Sequence, residues 1–187
     1  MTITIGTLAV VAFLSVLEPQ PPGMSSRNGR FHLESPAFAD GALIPAIHTA
    51  DGLDLSPPLR WGGAPAGTGS FALVMEDPDA PAGTWVHWVL FNIPADLQAL
   101  PSGLDRSPQL ANGARHGGCW GVREAHRIGY QGPEPPPGPM HRYVFSLYAL
   151  DGSLSLEPAV TLARLRPAMQ GHQLAVAQLT GLYRRRP

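Results

Sequence analysis

A chain of 187 residues is long enough to bury one hydrophobic core, so a single domain is expected. Its net charge of −1, with 14% charged residues, argues against broad electrostatic attraction to nucleic acid, and we expect no nucleic-acid partner. The 21 glycines and 21 prolines separate short apolar runs, a composition that favours a β-rich domain with long loops.

Residues 1–24 form an apolar N-terminal extension, distinct from the single domain predicted over residues 25–187. The apolar run 3–17 is shorter than the roughly 20 residues that span a bilayer, so an integral membrane protein is not favoured. Its length suits a signal-peptide core, although no Lys or Arg precedes it and no A-x-A-like site follows. A membrane anchor is the other role open to this run. Alternatively, synthesis starts at Met24. That start implies a cytoplasmic protein, whereas a signal or anchor implies an exported or membrane-tethered one.

Three apolar runs of strand length follow in chain order. Residues 71–75 form the first, which must end near Asp77 because the next residue is a proline, and proline cannot join a β ladder. Residues 85–93 form the second, ended by Pro94. Residues 143–150, rich in aromatic and branched side chains, form the third.

The remaining segments have weaker patterns. Residues 95–140 show little regularity and are predicted to be a long loop that serves function or covers a site. A short helix is predicted at residues 161–166, with Thr161 as its N-cap. Residues 172–183 stay ambiguous, because their composition suits a helix and their alternation suits a strand.

Two polar segments carry the functional signal, and both place acids or histidines beside prolines at the edge of an apolar run. The first is Asp77-Pro-Asp-Ala-Pro followed by Trp-Val-His87-Trp, and the second runs from residue 132 to His141-Arg-Tyr. Because the ends of neighbouring strands converge, we expect Asp77, His87 and His141 to share one cavity. The structural alternatives are that Asp77 caps its own turn and that each histidine is a hydrogen-bonded core residue.

Two imidazoles beside a carboxylate both donate and accept hydrogen bonds, which suits a phosphomonoester, a carboxylate ligand or a zwitterionic headgroup. We expect the carboxylate to raise the pKa of each histidine, so that anion binding weakens as pH rises. Arg142 either reaches the ligand or forms a forked ion pair with Asp79 that ties the two segments together, and the ion pair is favoured. Trp85, Trp88 and Tyr143 are predicted to be apolar walls.

Other chemistries are less well supported. Two histidines and an aspartate resemble a 2-His-1-carboxylate metal set, but no H-x-x-x-H pair supports one, and we predict no metal and no cofactor. No G-x-S-x-G motif of a hydrolase occurs. The lone Cys119 excludes an intrachain disulfide and is predicted to be a small, partly buried thiol in a Gly-rich loop rather than a nucleophile beside His116.

The sequence resembles the phosphatidylethanolamine-binding protein family, in particular its bacterial, Raf kinase inhibitor-like branch. The resemblance covers residues 31–183 and rests on five segments in this order: Leu55-Ser-Pro-Pro-Leu-Arg-Trp61, Asp77-Pro-Asp-Ala-Pro81, Thr84-Trp-Val-His-Trp88, Gly129-Tyr-Gln-Gly-Pro133 and His141-Arg-Tyr143. It implies an all-β dominated sandwich of two antiparallel sheets with one or two short peripheral helices. It also favours a strand at residues 172–183, with Tyr183 near the site.

The resemblance further implies an anion-binding pocket at one end of the sandwich. Its ligand-binding residues would be Asp77, His87, Pro135, Pro136, His141 and Tyr143, with Asp79, Arg142 and Trp85 structural beside it. Two departures bear on the ligand: residues 117–126 form a longer segment that would reshape the rim, and Glu134 adds a negative charge.

The function implied is a non-enzymatic binding protein for small anionic, phosphorylated or zwitterionic ligands, such as phosphate or phosphoethanolamine-like headgroups. One alternative is a regulatory inhibitor that grips a phosphorylated protein partner. Another is a low-activity hydrolase that uses His87 and His141 as acid and base. Homodimerisation is an option that the sequence leaves open.

Overall fold

In the computed structural model, residues 29–122 and 125–186 are described, so the apolar extension predicted over residues 1–24 lies outside them. The strands are β1 (His32–Glu34), β2 (Ala42–Leu43), β3 (Leu59–Gly62), β4 (Ser70–Asp77), β5 (Trp85–Pro94), β6 (Ala99–Leu100), β7 (Arg115–His116), β8 (Gly118–Cys119), β9 (Arg127–Ile128), β10 (His141–Leu150) and β11 (Gln173–Tyr183). The helices are a 3-10 turn at Ala46–His48 and an α-helix, α1, at Leu162–Met169.

Two packed sheets form the body of the domain, which confirms the predicted β-sandwich. The larger sheet has six strands in the order β2-β11-β10-β4-β5-β7, and the smaller has three in the order β1-β3-β6. Two details differ from the predicted arrangement of two antiparallel sheets. The short β2 pairs with β11 in parallel, and β8 and β9 form a separate two-stranded sheet. The loop predicted over residues 95–140 contains β6 to β9, each only two residues long.

Strand β4 lies at the centre of the packing because its apolar run has no glycine, proline or charge before Glu76. Successive side chains of a strand point to opposite faces, so Phe71, Leu73 and Met75 enter the core between the two sheets. Ala72 and Val74 face the opposite side, where they join a second cluster with residues of α1. The central strands of the large sheet are therefore covered on both faces.

Strand β11 resolves the ambiguity over residues 172–183 in favour of the strand. It pairs with β10 from His141↔Tyr183 to Leu150↔Gln173. Ala177 and Leu179 point into the core, whereas Leu174 and Val176 are exposed. The predicted short helix is α1, with Thr161 at its N-cap position but without a side-chain capping hydrogen bond.

The topology brings the two polar segments to one end of the large sheet. Strand β4 ends at Asp77, its neighbour β10 begins at His141, and β5 on the other side begins at Trp85. His87 is the third residue of β5, so three adjacent strands each carry one predicted polar residue at the same end. Within the described residues, α1 is too short to span a bilayer, and no other helix has the length and hydropathy to do so.

Candidate functional site

A cavity of about 230 Å³ opens at this end of the sheet. Its lining consists of Asp77, Ala80, Pro81, Ala82, Trp85, His87, Trp120, Glu134, Pro135, Pro136 and His141. Depressions of about 370 and 480 Å³ border β1 and β11, but neither contains a buried acid or histidine. The smaller cavity therefore brings together the predicted polar residues, both prolines and Trp85. Their role in ligand binding stays a prediction.

Asp77 connects the two polar segments through both of its carboxylate oxygens. Oδ1 accepts the backbone N–H of Asp79 at 2.8 Å, which closes the turn after β4. Oδ2 accepts a hydrogen bond from Nδ1 of His141, also at 2.8 Å. The side chains of Asp77 and His141 are each only 3% exposed. Asp77 thus caps its own turn and also holds one histidine of the cavity, so these two interpretations of the residue are compatible.

His87 is fixed by a two-way contact with Gln131. The backbone N–H of Gln131 donates to the carbonyl of His87 at 3.1 Å, and Nδ1 of His87 lies 2.8 Å from the carbonyl oxygen of Gln131. Burial lowers the pKa of His87, and this effect outweighs the opposing hydrogen bond to Gln131 and the charge of Asp77. Asp77 thus acts in the expected direction, but the expected net rise of the histidine pKa is wrong for His87, because the ring is almost fully desolvated.

Tyr143 lies behind the cavity rather than in its lining. Its ring packs edge-on against His87, with 5.1 Å between the ring centroids. The hydroxyl is buried without a hydrogen-bond partner among the described residues. Burial, followed by the negative charge of Asp77, raises the pKa of Tyr143 well above its usual range, so the phenol stays neutral.

Arg142 and Asp79 form the forked ion pair expected from the sequence. Nε of Arg142 lies 2.9 Å from Oδ2 of Asp79, and Nη2 lies 2.8 Å from Oδ1. The backbone N–H of Arg142 also donates to Oδ2 at 2.9 Å. The hydrogen bond from Arg142 is the main reason why the pKa of Asp79 falls to about 2. Both side chains lie outside the cavity lining, so the pair ties the start of β10 to the turn after β4.

Trp120 is a cavity residue that sequence reasoning missed. Its ring stands perpendicular to the rings of Trp85 and His87, with centroid distances of 5.8 and 5.6 Å. The guanidinium carbon of Arg127 lies 4.6 Å from the centre of the Trp120 ring, a cation–π contact that covers it. Trp120 adopts a φ of 68°, unusual for a bulky residue. The only signal in the sequence was the extra length of residues 117–126.

The loop that carries Glu134, Pro135 and Pro136 is anchored on both sides of the cavity rim. Its first part is held where the hydroxyl of Tyr130 donates to the carbonyl of His48 at 2.5 Å and the Gly132 N–H donates to Oδ1 of Asp54 at 2.6 Å.

On the other side of the rim, Glu134 lies 3.5 Å from Arg185, which also pairs with Asp51. The added acid therefore already has a basic partner. Tyr183, expected near the site, donates to Oδ2 of Asp51 at 2.8 Å and lies outside the lining.

Two other chemistries find little support in the geometry. Among the described residues, no group of three or more His, Cys, Asp or Glu side chains has an arrangement that could hold a metal ion. Cys119 is buried, its thiol donates to the Gly129 carbonyl at 3.1 Å, and burial raises its pKa to about 12. The thiolate needed for nucleophilic attack is therefore negligible at neutral pH. His116 is engaged by the Asp105 carbonyl rather than by Cys119.

Comparison with known proteins agrees with this arrangement. The family model described as phosphatidylethanolamine-binding protein matches residues 34–184. The chain belongs to this family. Relatives include UPF0098 proteins of Methanothermobacter thermautotrophicus, 46% identical over 82% of this chain and 99% of the relative, and of Aquifex aeolicus, 40% identical over 81% and 86%.

Two solved structures of the phosphatidylethanolamine-binding protein family are similar in fold. CT736 of Chlamydia trachomatis superposes with a TM-score of 0.71 at 35% identity, covering 84% of this chain and 99% of that one. YbcL of Escherichia coli superposes with a TM-score of 0.74 at 30% identity, covering 83% and 99%.

Proposed function

We propose that this protein is a non-enzymatic binding protein for a small phosphorylated or zwitterionic headgroup. The observation that carries the proposal is the shared cavity of Asp77, His87 and His141, three polar side chains that are each at least 97% buried. Polar side chains that converge on an otherwise apolar cavity, with a perturbed pKa among them, are typical of a ligand site.

The size of the cavity limits what enters it. Its volume of about 230 Å³ is below the range of about 300–1,000 Å³ typical of sites that enclose a drug-sized ligand. A headgroup therefore enters, and the rest of a larger ligand stays outside. Pro81, Pro135 and Pro136 form part of the wall, so little backbone entropy is lost when the ligand binds.

The lining also supports binding rather than catalysis. Among the described lining residues there is no serine, threonine, cysteine or lysine, and the acids and imidazoles that are present already have partners within the protein. Both histidines already use Nδ1 for contacts within the protein. The apolar faces of Trp85 and Trp120 then complete a wall with few polar atoms, typical of a site that positions a small ligand.

Isothermal titration calorimetry with inorganic phosphate and O-phosphoethanolamine tests this function. We expect binding heat from the wild-type protein that is lost in His87→Ala and in His141→Ala, with circular dichroism showing that both variants stay folded. His172→Ala is the matched control, because His172 is exposed and contacts Asp151 far from the cavity. Unchanged affinity in both cavity variants would exclude this cavity as the binding site.

A further inference from the structure

We propose that the cavity selects phosphate monoesters in their singly protonated form and discriminates against phosphodiesters and sulfate esters, with Nε2 of His87 accepting the P–OH hydrogen. The inference rests on the proposed function and names the ligand class of the same site. It separates two sources of the same headgroup, because a free phosphomonoester carries a titratable proton and an intact phospholipid headgroup, which is a diester, does not.

The proton position on His87 follows from its partner. A carbonyl oxygen can only accept a hydrogen bond, so Nδ1, 2.8 Å from the Gln131 carbonyl oxygen, must carry the hydrogen. In a neutral imidazole, Nε2 is then an acceptor. Nδ1 makes the hydrogen bond of this ring to the described residues, with the Gly132 backbone as a weaker polar neighbour, and the ring forms part of the cavity wall. Nε2 is thus an acceptor with which a ligand in the cavity can pair.

The carbonyl that sets this tautomer is itself firmly held. The Gln131 backbone N–H donates to the His87 carbonyl, and the Gln131 side chain is anchored by Arg127 at 3.0 Å and by the Ile128 carbonyl at 3.3 Å. Trp120 and Tyr143 pack edge-on against the imidazole from two sides. The ring therefore cannot flip to present Nδ1 to a ligand without breaking several contacts.

The surroundings keep the ring neutral. The titratable and charged groups that face His87 or share its cavity are Asp54, Asp77, Glu134, His141 and Tyr143. Glu134 is partly exposed and lies beside Arg185, so its charge is screened. The negative charges of Asp77 and Asp54 favour the protonated ring, but its desolvation is the largest effect, and the pKa of His87 is lowered.

A ligand must therefore bring its own hydrogen to His87. A phosphomonoester has a second pKa of about 6, so the singly charged form, which carries one P–OH group, predominates below about pH 6 and is a minor species at pH 7. In a phosphodiester and in a sulfate ester, all phosphate or sulfate oxygens are unprotonated, and they would face the lone pair of Nε2. A buried acceptor left unpaired in the complex corresponds to a loss of affinity of about tenfold or more.

Three probes with the same aminoethyl group separate these cases. Calorimetry at pH 6 is expected to give at least about tenfold tighter binding of O-phosphoethanolamine than of 2-aminoethyl hydrogen sulfate or glycerophosphoethanolamine. In His87→Gln, whose amide both donates and accepts, the monoester and the sulfate ester are expected to bind with similar affinities. His172→Gln, at an exposed site, is expected to retain the wild-type discrimination.

The pH dependence identifies which molecule carries the proton. Affinity for O-phosphoethanolamine should rise as pH falls through the second pKa of the ligand. The second pKa of 2-aminoethylphosphonate is higher, so the midpoint of the change in affinity with pH should lie at a correspondingly higher pH for this ligand. A midpoint that is the same for both ligands would mean that a protein group takes up the proton, and this result would overturn the inference.

The two proposals fail in different ways. If none of the phosphate probes binds at any pH, the proposed function itself is wrong. If all three probes bind equally well to the wild-type protein, the binding function stands and the selection of monoesters by His87 is refuted.

Discussion

Replacing Asp77 by alanine should destabilise the protein far more than the removal of an exposed carboxylate would. The carboxylate is almost fully buried and accepts two hydrogen bonds of 2.8 Å, one from the Asp79 N–H and one from His141 Nδ1. A hydrogen bond to a charged group contributes about 1.5–3 kcal/mol. At the lower end of that range, the loss of both contacts removes about 3 kcal/mol from the free energy of unfolding. For a domain of this size, that corresponds to a fall in Tm of about 6–12 °C.

Urea unfolding at pH 7, followed by circular dichroism, measures the loss. Asp96→Ala is the matched control, because Asp96 lies on an exposed turn and should change the free energy of unfolding by less than about 0.5 kcal/mol. A double-mutant cycle with His141→Ala isolates the pair and is expected to give a coupling of about 1 kcal/mol or more. A loss below about 1 kcal/mol in Asp77→Ala would refute the view that this carboxylate joins β4 to β10.

Three further changes test the surroundings of the cavity. Burial lowers the pKa of His87 and of His116, so below about pH 6.5 these two residues bind more protons in the unfolded chain than in the folded protein. The free energy of unfolding should therefore fall as the pH drops from 7 to 5. His87→Gln should make that slope shallower by up to about 1.4 kcal/mol per pH unit, and an unchanged slope would contradict the neutral ring. Gly132→Ala places a methyl group 2.6–2.9 Å from neighbouring atoms and should cost about 1–3 kcal/mol in denaturant unfolding, whereas Gly152→Ala meets no atom within 4 Å and should be neutral. Cys119, with its pKa raised to about 12, should resist iodoacetamide at pH 8 until the protein is unfolded in guanidinium, and rapid labelling of the folded protein would show that the thiol is accessible.

The central strands could be predicted because their sequence signal is local. β4, β5 and β10 are predominantly apolar runs of strand length, and a proline ends both β4 and β5 close to the predicted position. β11 could not be assigned from its own residues, because its alanines, leucines and glutamines fit both a helix and a strand. Pairing with β10 over ten residues makes the segment a strand. Such a long-range contact cannot be recognised from the pattern of a short stretch of sequence.

The cavity could be predicted in part for a similar reason. Asp77, His87 and His141 lie near the ends of strands that are adjacent in the sheet, so the strand boundaries alone brought them together. Trp120 reaches the cavity through the short β8–β9 turn and a positive φ, neither of which has a periodic pattern. The Gln131 carbonyl could not be foreseen, because every residue has a backbone carbonyl. The pKa of His87 was predicted with the wrong sign, since sequence reveals neighbouring charges more readily than burial.

The contacts that stabilise this end of the sheet are the same contacts that would determine which ligands bind. Asp77 holds Nδ1 of His141, and the Gln131 carbonyl holds Nδ1 of His87, so in each ring only Nε2 is left for a ligand. Moving either partner would change both the packing of the strand ends and the hydrogen-bonding pattern offered to a headgroup. Selectivity in such a site need not come from a dedicated cation, and the lining has no lysine or arginine. Under the proposed selection, it would follow from which imidazole nitrogen carries a hydrogen, and the contacts of Nδ1 fix this in the protein without a ligand.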